Sequence, residues 1–386
     1  MDGSMRCDLA ILGGGLAGGL IAHALSVRRP DLSLRLIEAQ PVLGGGRVWA
    51  FPANDIEPEH RWIVEPFLSR TWNGYDVVFP AHRRSLGVRY HAVRPAEHDA
   101  GLRRVLTPET PVHARIARAS ATRVVLANGR TIDAAGVIDA RGPGDLGLLD
   151  VRWRKYLGRE LLLDRPHGIA MPIVMDAATP QQDGCHFMQV LPLDRRRLFV
   201  AACYFSDRRL ADAHQMRRRI DDYADQNGWR VGEMTAEEAG VTPMLLDGGF
   251  DGYWESGGEH AAKAGARAAL LHPATGAAVA DAVRLAAYVA ELPDLAGPAL
   301  HEALRVHAAR AWGERSFYRM VAKMLFHIAD DDARYRLFER LYRLPPKLID
   351  RFNAMQSTPA DKLRILAGRP SLPLSQTFRA LMGSER

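Results

Sequence analysis

Three glycines near the start of the chain have the spacing of a phosphate-binding turn. Gly13, Gly15 and Gly18 fit the pattern G-x-G-x-x-G, and Glu38 follows about twenty residues later. The first glycine permits a tight bend, the second lets the backbone approach a pyrophosphate, and the third lets a helix pack closely on a strand. The carboxylate can accept a ribose hydroxyl, and its charge disfavours the 2′-phosphate of NADP. These residues predict a dinucleotide site, for FAD or for NAD.

A strand, a helix and a second strand must hold these residues. Residues 7–12 form an apolar run with strand character, residues 16–27 carry apolar side chains at helical spacing, and residues 34–37 end directly before Glu38. Free N–H groups at the helix N-terminus, with the positive end of its dipole, would face the phosphates. The alternative is a glycine-rich turn that binds no ligand.

A second glycine cluster follows the predicted ribose-binding acid. Gly44, Gly45 and Gly46 precede Arg47 and Trp49. In nicotinamide enzymes the chain usually continues here into the next βα unit, whereas a glycine-rich turn is more typical of FAD proteins, where it lines the cofactor. Arg47 could contact a phosphate. A flexible turn without a ligand is the alternative.

Two later stretches are expected to return to the cofactor. Asp139 ends a predicted strand that runs into a turn at Gly142. Pro273 and Gly276 precede an alanine-rich predicted helix over residues 277–292. Its positive N-terminal end would lie in the interior, where it would favour the anionic reduced form of a flavin. An ordinary capped core helix is the alternative.

Composition limits the possible functions. The net charge is +6, but the basic residues are scattered or lie on predicted helices, so we expect no nucleic-acid partner. An anionic membrane surface remains possible. The three cysteines form no paired motif, which favours a reducing compartment and disfavours a metal site. No apolar run approaches the roughly 18 residues that span a bilayer.

The patterns predict an α/β chain in four parts. Residues 5–150 would form the first part of a cofactor domain, with an excursion over 50–135, and residues 256–295 its second part. Residues 151–255 would form an inserted antiparallel-sheet substrate domain, with candidate strands at 161–163, 186–190, 198–204 and 229–243 and a helix at 211–227. Residues 296–386 would be helical. Their apolar stripe with interleaved arginines favours core packing, and a membrane-surface helix is the alternative.

Local motifs over nearly the whole chain resemble the bacterial lycopene β-cyclase family. The matching stretches occur in one order at residues 8–17, 38–45, 58–62, 79–84, 137–142, 166–168, 172–177, 181–182, 191–193, 272–276, 317–326 and 363–366. So many matches in one order make the resemblance specific.

The resemblance implies a glutathione-reductase-like, Rossmann-type FAD domain and an enzyme of the intramolecular lyase or isomerase class. Its members use reduced FAD to convert the ends of linear lycopene into β-ionone rings without net redox change. Protonation of a terminal alkene gives a carbocation, the ring closes, and loss of a proton leaves the ring double bond. This chemistry needs a proton donor, an electron-rich surface and a dry apolar tunnel.

The resemblance also implies a location and a set of cofactor contacts. Because lycopene is a membrane lipid, we expect a cytoplasmic protein attached peripherally to the inner face of the cell membrane. The oligomeric state is left open. The residues expected to contact FAD are Gly13, Gly15, Leu16, Ala17, Gly18, Glu38, Ala39, Gly45, Arg47, Asp139, Gly142, Pro273, Thr275 and Gly276.

The chain departs from the family where the chemistry should occur. The family carries an acidic pair, with a glutamate regarded as essential, where this sequence has Ala201 and Ala202. We therefore expect another proton donor, Asp176 first and Glu160 next. The alternatives are a cap or turn carboxylate at Asp176 and a solvated strand residue at Glu160. The residues expected to line the substrate pocket are Ala201, Tyr204, His167 and Trp49.

Two further functions stay open. One is a flavoenzyme of the same fold that oxidises or isomerises another polyene or lipid. The other is a binding protein that has lost catalysis and retains flavin or carotenoid, which the loss of both acids with a kept scaffold would predict.

Overall fold

The fold is a mixed α/β structure with a helical C-terminal region, seen in a computed structural model that describes residues 5–256 and 260–367. The strands are β1 (Met5–Leu12), β2 (Leu34–Glu38), β3 (Trp49–Pro52), β4 (Arg70–Trp72), β5 (Tyr75–Phe79), β6 (His82–Leu86), β7 (Tyr90–Val93), β8 (Pro111–His113), β9 (Ile116–Ala119), β10 (Arg123–Leu126), β11 (Thr131–Asp139), β12 (Leu149–Leu163), β13 (Ile173–Asp176), β14 (Cys185–Pro192), β15 (Arg197–Ser206), β16 (Val231–Gly248) and β17 (Ala262–Lys263). The helices are α1 (Leu16–Arg28), α2 (Pro95–Val105), α3 (Ala213–Gln226), α4 (Phe250–Glu255), α5 (Val279–Glu291), α6 (Gly297–Glu314), α7 (Ser316–Lys323), α8 (Tyr335–Leu341), α9 (Pro346–Asn353) and α10 (Pro359–Leu366).

The first sheet holds the predicted strand–helix–strand unit. Its order is β8-β2-β1-β11-β10-β9, and β17 pairs with the end of β11. β1 pairs in parallel with both β2 and β11. The side chains from Leu9 to Leu12 are fully buried, as expected for a parallel strand covered on both faces. The unit matches the predicted elements to within a few residues.

The third glycine of the motif sets how closely α1 approaches this sheet. A Cβ atom added at Gly18 would lie 2.0 Å from the carbonyl oxygen of Gly13. No side chain other than hydrogen fits at that distance. α1 can therefore begin immediately beside the turn that ends β1.

The second sheet is largely antiparallel, in the order β16-β12-β15-β14-β13-β5-β6. Its strand β12 starts at Leu149, whereas only residues 161–163 carried a clear strand pattern. Arginines interrupt the apolar pattern along β12, and two of them form ion pairs: Arg152 with Asp150 and Asp207, and Arg159 with Glu237 at 2.8 Å and Asp221 at 2.9 Å. Prediction from the sequence relies on alternating apolar residues, so it does not detect a strand whose charged side chains are paired in the fold.

Part of the predicted excursion belongs to this second sheet. β5 pairs in parallel with β13, and β6 pairs with β5. The basic run from His82 to Arg84 therefore lies in a strand. Arg84 donates to the carbonyl oxygens of Tyr342 and Leu344 at 2.7 and 2.6 Å, which ties the strand to the C-terminal region.

The C-terminal region is helical from Gly297 to Leu366. Its apolar stripe is buried against the second sheet, with Phe317, Val321, Leu325 and Phe338 all in one core cluster. Of the predicted ranges, residues 257–259 and 368–386 lie outside the described residues. Within the part that the structure describes, no helix combines the length and apolar character needed to cross a bilayer.

Candidate active site

A cleft of about 680 Å³ opens at the carboxyl ends of β1 and β2. This size falls within the roughly 300–1,000 Å³ of small-molecule sites. Most of the predicted cofactor residues line it, namely Gly13, Gly15, Leu16, Ala17, Glu38, Ala39, Gly45, Arg47, Gly142 and Gly276. The structure thus gathers residues from four separate stretches of the chain around one cleft.

The glycines and the acid leave room for a dinucleotide. No atom lies within 4 Å of a Cβ position at Gly15 or Gly142, so their backbone borders open space. Glu38 accepts the N–H groups of Gly14 and Gln40, each at 2.8 Å. Its two oxygens keep further lone pairs for a ribose hydroxyl. The residues present therefore fit the predicted cofactor.

Asp139 lies behind the wall of the cleft and does not line it. It is buried and accepts two bonds from Arg141, at 2.9 and 2.7 Å, while Arg267 lies 3.3 Å away. Arg141 itself lines the cleft, and the sequence reasoning missed it. Its position two residues after a buried strand acid was the available signal. Asp139 holds this cation where a phosphate could meet it.

Three other predicted cofactor residues have different surroundings. Gly18 packs under the turn at Gly13 and is not in the cleft wall. Pro273 lines neither the cleft nor the cavity described next, whereas Thr275 lines that cavity.

An aromatic-lined cavity adjoins the cleft. Arg47, Trp49, Thr242, Gly276 and Ala278 line both spaces, so the two meet at this boundary. α5 begins at the same boundary, with its first helical residue at Val279 rather than at residue 277. The aromatic rings in the cavity wall are Trp49, Phe51, Tyr75, Tyr90, Tyr156, Phe187, Phe199, Phe205, Phe338 and Tyr342.

A neutral histidine fixes the turn before α5. His272 is buried, its Nδ1 accepts the N–H of Ala274 at 3.1 Å, and its Nε2 lies 3.1 Å from the carbonyl oxygen of Phe352. Burial lowers the pKa of His272 to about 4. The imidazole therefore stays neutral at physiological pH, with Nε2 as the donor, and joins the turn to α9.

Of the four predicted substrate residues, only Trp49 lines the cavity. Side chains alternate along β15, so Phe199 and Cys203 line the cavity, whereas Tyr204 faces α3 and packs against His186 in a tilted arrangement, with ring centroids 4.6 Å apart. His167 lies near the surface, where its Nε2 is 2.5 Å from the carbonyl oxygen of Asp194. Ala201 faces the cavity side, between Phe199 and Cys203.

The two predicted acids are engaged elsewhere. Asp176 accepts the Tyr223 hydroxyl at 2.8 Å on the α3 side of the sheet, and burial raises its pKa. Glu160 forms ion pairs with Arg94 at 2.8 Å and Arg197 at 3.1 Å. Neither residue lines the cavity. The sequence suggested both as alternative proton donors, but it could not give the direction of their side chains.

The sequence reasoning missed one acid in the cavity wall and a second acid that bonds to two wall residues. Asp55 lines the wall, is 7% exposed, and burial raises its pKa to about 8. Glu238 accepts the N–H of Val48 at 2.9 Å and the Tyr156 hydroxyl at 3.1 Å; burial raises its pKa, and these hydrogen bonds oppose the rise. The only sequence signal for Asp55 was its position four residues after the aromatic run from Trp49 to Phe51.

A family model described as lycopene cyclase protein matches residues 8–379. The chain belongs to this lycopene cyclase family. It is 37% identical over 380 residues to a lycopene beta-cyclase of Pantoea ananas, covering 98% of this chain and 99% of the relative. It is 35% identical over 376 residues to a lycopene beta-cyclase of Pseudescherichia vulneris, covering 97% of each. The resemblance drawn from the motifs is confirmed.

Solved structures of low sequence identity share the fold of this family member. One is a geranylgeranyl bacteriochlorophyll reductase-like protein of Thermoplasma acidophilum, with a TM-score of 0.58 at 14% identity over 98% of this chain and 99% of that one. Another is a probable FAD-dependent monooxygenase of Pseudomonas aeruginosa, with a TM-score of 0.55 at 18% identity over 86% and 98%. These neighbours support the mixed α/β architecture.

Proposed function

We propose that this lycopene cyclase family member binds FAD in the cleft and closes β-ionone rings at the ends of lycopene in the adjoining cavity. The reaction is an isomerisation without net redox change. The observation that carries the proposal is the meeting of a dinucleotide-shaped cleft with an aromatic-lined cavity at the start of α5. In this proposal the first sheet is a glutathione-reductase-like FAD domain, and the second sheet belongs to an inserted substrate domain.

In this proposal, residues of the chain would contact the pyrophosphate, the ribose and the flavin of FAD. The backbone at Gly15 and the N-terminus of α1 would bind the pyrophosphate, Arg141 would add a positive charge, and Glu38 would bind the ribose. The N-terminus of α5 would lie beside the flavin. Bound reduced FAD would supply negative charge next to the cavity, which favours a carbocation there. The FAD dependence of the Pseudomonas aeruginosa neighbour is consistent with this assignment.

The cavity wall suits an apolar substrate and a cationic intermediate. Aromatic faces attract cations, by about 2 kcal/mol or more where water is excluded. Tyr75, Tyr90 and Phe205 are buried side chains of this wall. Their rings would stabilise positive charge on the substrate and would keep water from capturing it.

Peripheral attachment to the inner face of the cell membrane is part of the proposal, because the substrate is a membrane lipid. α10 supports it, since Leu363 and Leu366 are exposed there beside Lys362 and Arg364. Apolar side chains flanked by cations suit the interface of an anionic bilayer.

A second function has a specific observation in its favour. Ala201 and Ala202 replace an acidic pair of the family, which favours a flavoprotein that binds carotenoid without cyclising it. Expression in cells that accumulate lycopene separates the two functions. Pigments with β-ionone rings would support cyclisation. Unchanged lycopene in cells whose purified protein carries flavin would refute cyclisation and favour the binding protein.

A further inference from the structure

We propose that Asp55 is the proton donor that starts cyclisation, as an acid in the cavity wall that acts in place of the acids absent at positions 201 and 202. The inference rests on the proposed function and names the catalytic acid of that same site.

Asp55 is held in the cavity wall by a short 3-10 turn, Ala53–Asp55, that follows β3. The Ala53 N–H donates to the carbonyl oxygen of Arg89 at 2.8 Å, which fastens the turn to the segment before β7. In the described part of the chain, Oδ1 of Asp55 is buried and has no hydrogen-bond partner. A buried polar atom without a partner costs free energy unless a ligand or another group meets it. The carboxyl is therefore free to meet a substrate.

A second unpartnered group shares this cavity. The hydroxyl of Tyr75 is buried and, among the described residues, also makes no hydrogen bond. Tyr75 is only 1% exposed. Two buried polar atoms without hydrogen-bond partners in the wall of one cavity indicate a polar binding site rather than an isolated packing defect.

Burial favours the protonated form of Asp55, and the charges around it act in opposite directions. Arg284 is the cation that acts on it, but its Nε donates to Glu57 at 2.9 Å and its Nη2 to the carbonyl oxygen of Ala354 at 2.9 Å. Asp350 and Glu57 add negative charge nearby. No ion pair reaches Asp55 within residues 5–256 and 260–367.

Three further titratable groups of the cavity, two phenols and one histidine, are neutral. Tyr90 and Tyr342 are phenols whose pKa values burial raises, so they stay neutral. His272 is neutral as well, because burial lowers its pKa to about 4. Arg154 donates to the carbonyl oxygen of Thr275 at 3.3 Å. Burial raises the pKa of Asp55 to about 8, so the acid holds its proton at neutral pH.

Glu238 is the weaker candidate, although it lies close to the cavity. Both of its oxygens accept the Val48 N–H, at 2.9 and 3.0 Å, and one accepts the Tyr156 hydroxyl at 3.1 Å. Donors aimed at a carboxyl group favour its ionised form. Glu238 is therefore suited to fixing Val48 and Tyr156, not to giving up a proton.

Asp55 donates one proton in the reaction and receives one proton back. Its O–H bond breaks, and the electron pair of the terminal alkene forms a new C–H bond, which leaves the adjacent carbon cationic. A second double bond supplies the pair for the ring C–C bond. A ring C–H bond then breaks to form the ring double bond, and its proton returns to the Asp55 carboxylate. One proton enters and one leaves, so nothing is oxidised or reduced.

The test compares single variants of the full-length protein loaded with FAD, with lycopene in phospholipid vesicles and the flavin reduced. Asp55→Asn keeps the shape and removes the acid, and we expect at least about a 100-fold slower cyclisation, the range of general acid catalysis. Asp176→Asn is the matched control, because Asp176 is also an acid whose pKa burial raises, but it bonds to Tyr223 on the α3 side and does not line the cavity. We expect it to retain activity. Flavin absorbance and thermal unfolding check that each variant is folded.

The outcomes separate the two proposals. Asp55→Asn with nearly unaltered activity would overturn the assignment while leaving cyclisation standing. An inactive but flavin-loaded unaltered protein would overturn the proposed function itself. If Asp55→Asn does not fold, the pH profile of the unaltered protein decides. We expect its rate to fall as pH rises through about 8, and a rate that stays constant or rises through that range would overturn the assignment.

Discussion

Ala201 and Ala202 are adjacent in β15 and face opposite sides of the second sheet. Ala201 lies with Phe199 and Cys203 toward the cavity, whereas Ala202 lies with Val200 and Tyr204 in the core under α3. Two acids at these positions could not both serve one cavity. Only position 201 bears directly on the chemistry of the site.

Because the two positions face opposite sides of the sheet, we expect acids restored there to lower the stability of the protein unequally. Ala202→Asp would bury a carboxylate in an apolar core without a partner, which we expect to lower the free energy of unfolding by about 2–4 kcal/mol. Ala201→Asp is the matched control, because its carboxyl can turn toward the cavity. Urea denaturation of both variants measures the difference. Equal losses of stability would contradict the assignment of the two faces.

Asp55 should make stability depend on pH. The unfolded chain releases this proton near pH 3.8, whereas the folded protein keeps it until about pH 8. The free energy of unfolding should therefore fall as pH rises between these values, by up to about 1.4 kcal/mol per pH unit from this group.

Asp55→Asn should remove that contribution and become more stable than the unaltered protein near pH 7. Denaturant unfolding at pH 5 and pH 7.5 measures it. A stability difference between the two proteins that is the same at both pH values would show that Asp55 is ionised in the folded protein.

Two glycines of the motif should respond differently to alanine. Gly18→Ala would place a Cβ 2.0 Å from the Gly13 carbonyl oxygen, so we expect loss of stability together with loss of flavin. Gly15→Ala meets no protein atom within 4 Å, so the fold should persist while the pyrophosphate loses its close backbone approach. Thermal unfolding and flavin content, measured on both, separate the effects. Full flavin binding by Gly15→Ala would place the phosphates elsewhere.

The two acids first suggested by the sequence should be dispensable for proton transfer. Asp176 bonds to Tyr223 on the far side of the sheet, and Glu160 is paired with two arginines. Asp176→Asn should cost about 1 kcal/mol of stability, the typical worth of one hydrogen bond, and should keep cyclising. Pigment analysis measures it. Loss of cyclisation by a folded, flavin-loaded Asp176→Asn variant would show that residues on the α3 side of the second sheet take part in the reaction.

The sequence predicted well the features that depend on local pattern. The glycine spacing, the apolar run of β1 and the periodicity of α1 together predicted the βαβ unit around Gly13, because each depends on neighbours in the chain. The helical C-terminal region followed from the same periodicity.

Features that depend on side-chain direction were harder to predict. The sequence alone could not show that Tyr204 faces α3 while Cys203 faces the cavity, since that needs the register of β15 against β12 and β14. Asp55 was missed for a related reason. It lines the same cavity as Tyr90 and Tyr342, which are far away in sequence, and the aromatic run before it does not show that its side chain is buried there.

The most direct test of the account converts lycopene in D₂O with the purified, FAD-loaded and reduced protein. The account predicts products with β-ionone rings that carry one deuterium for each ring formed and otherwise have the composition of lycopene. Unchanged lycopene, or a product that has gained or lost two hydrogens, would contradict it.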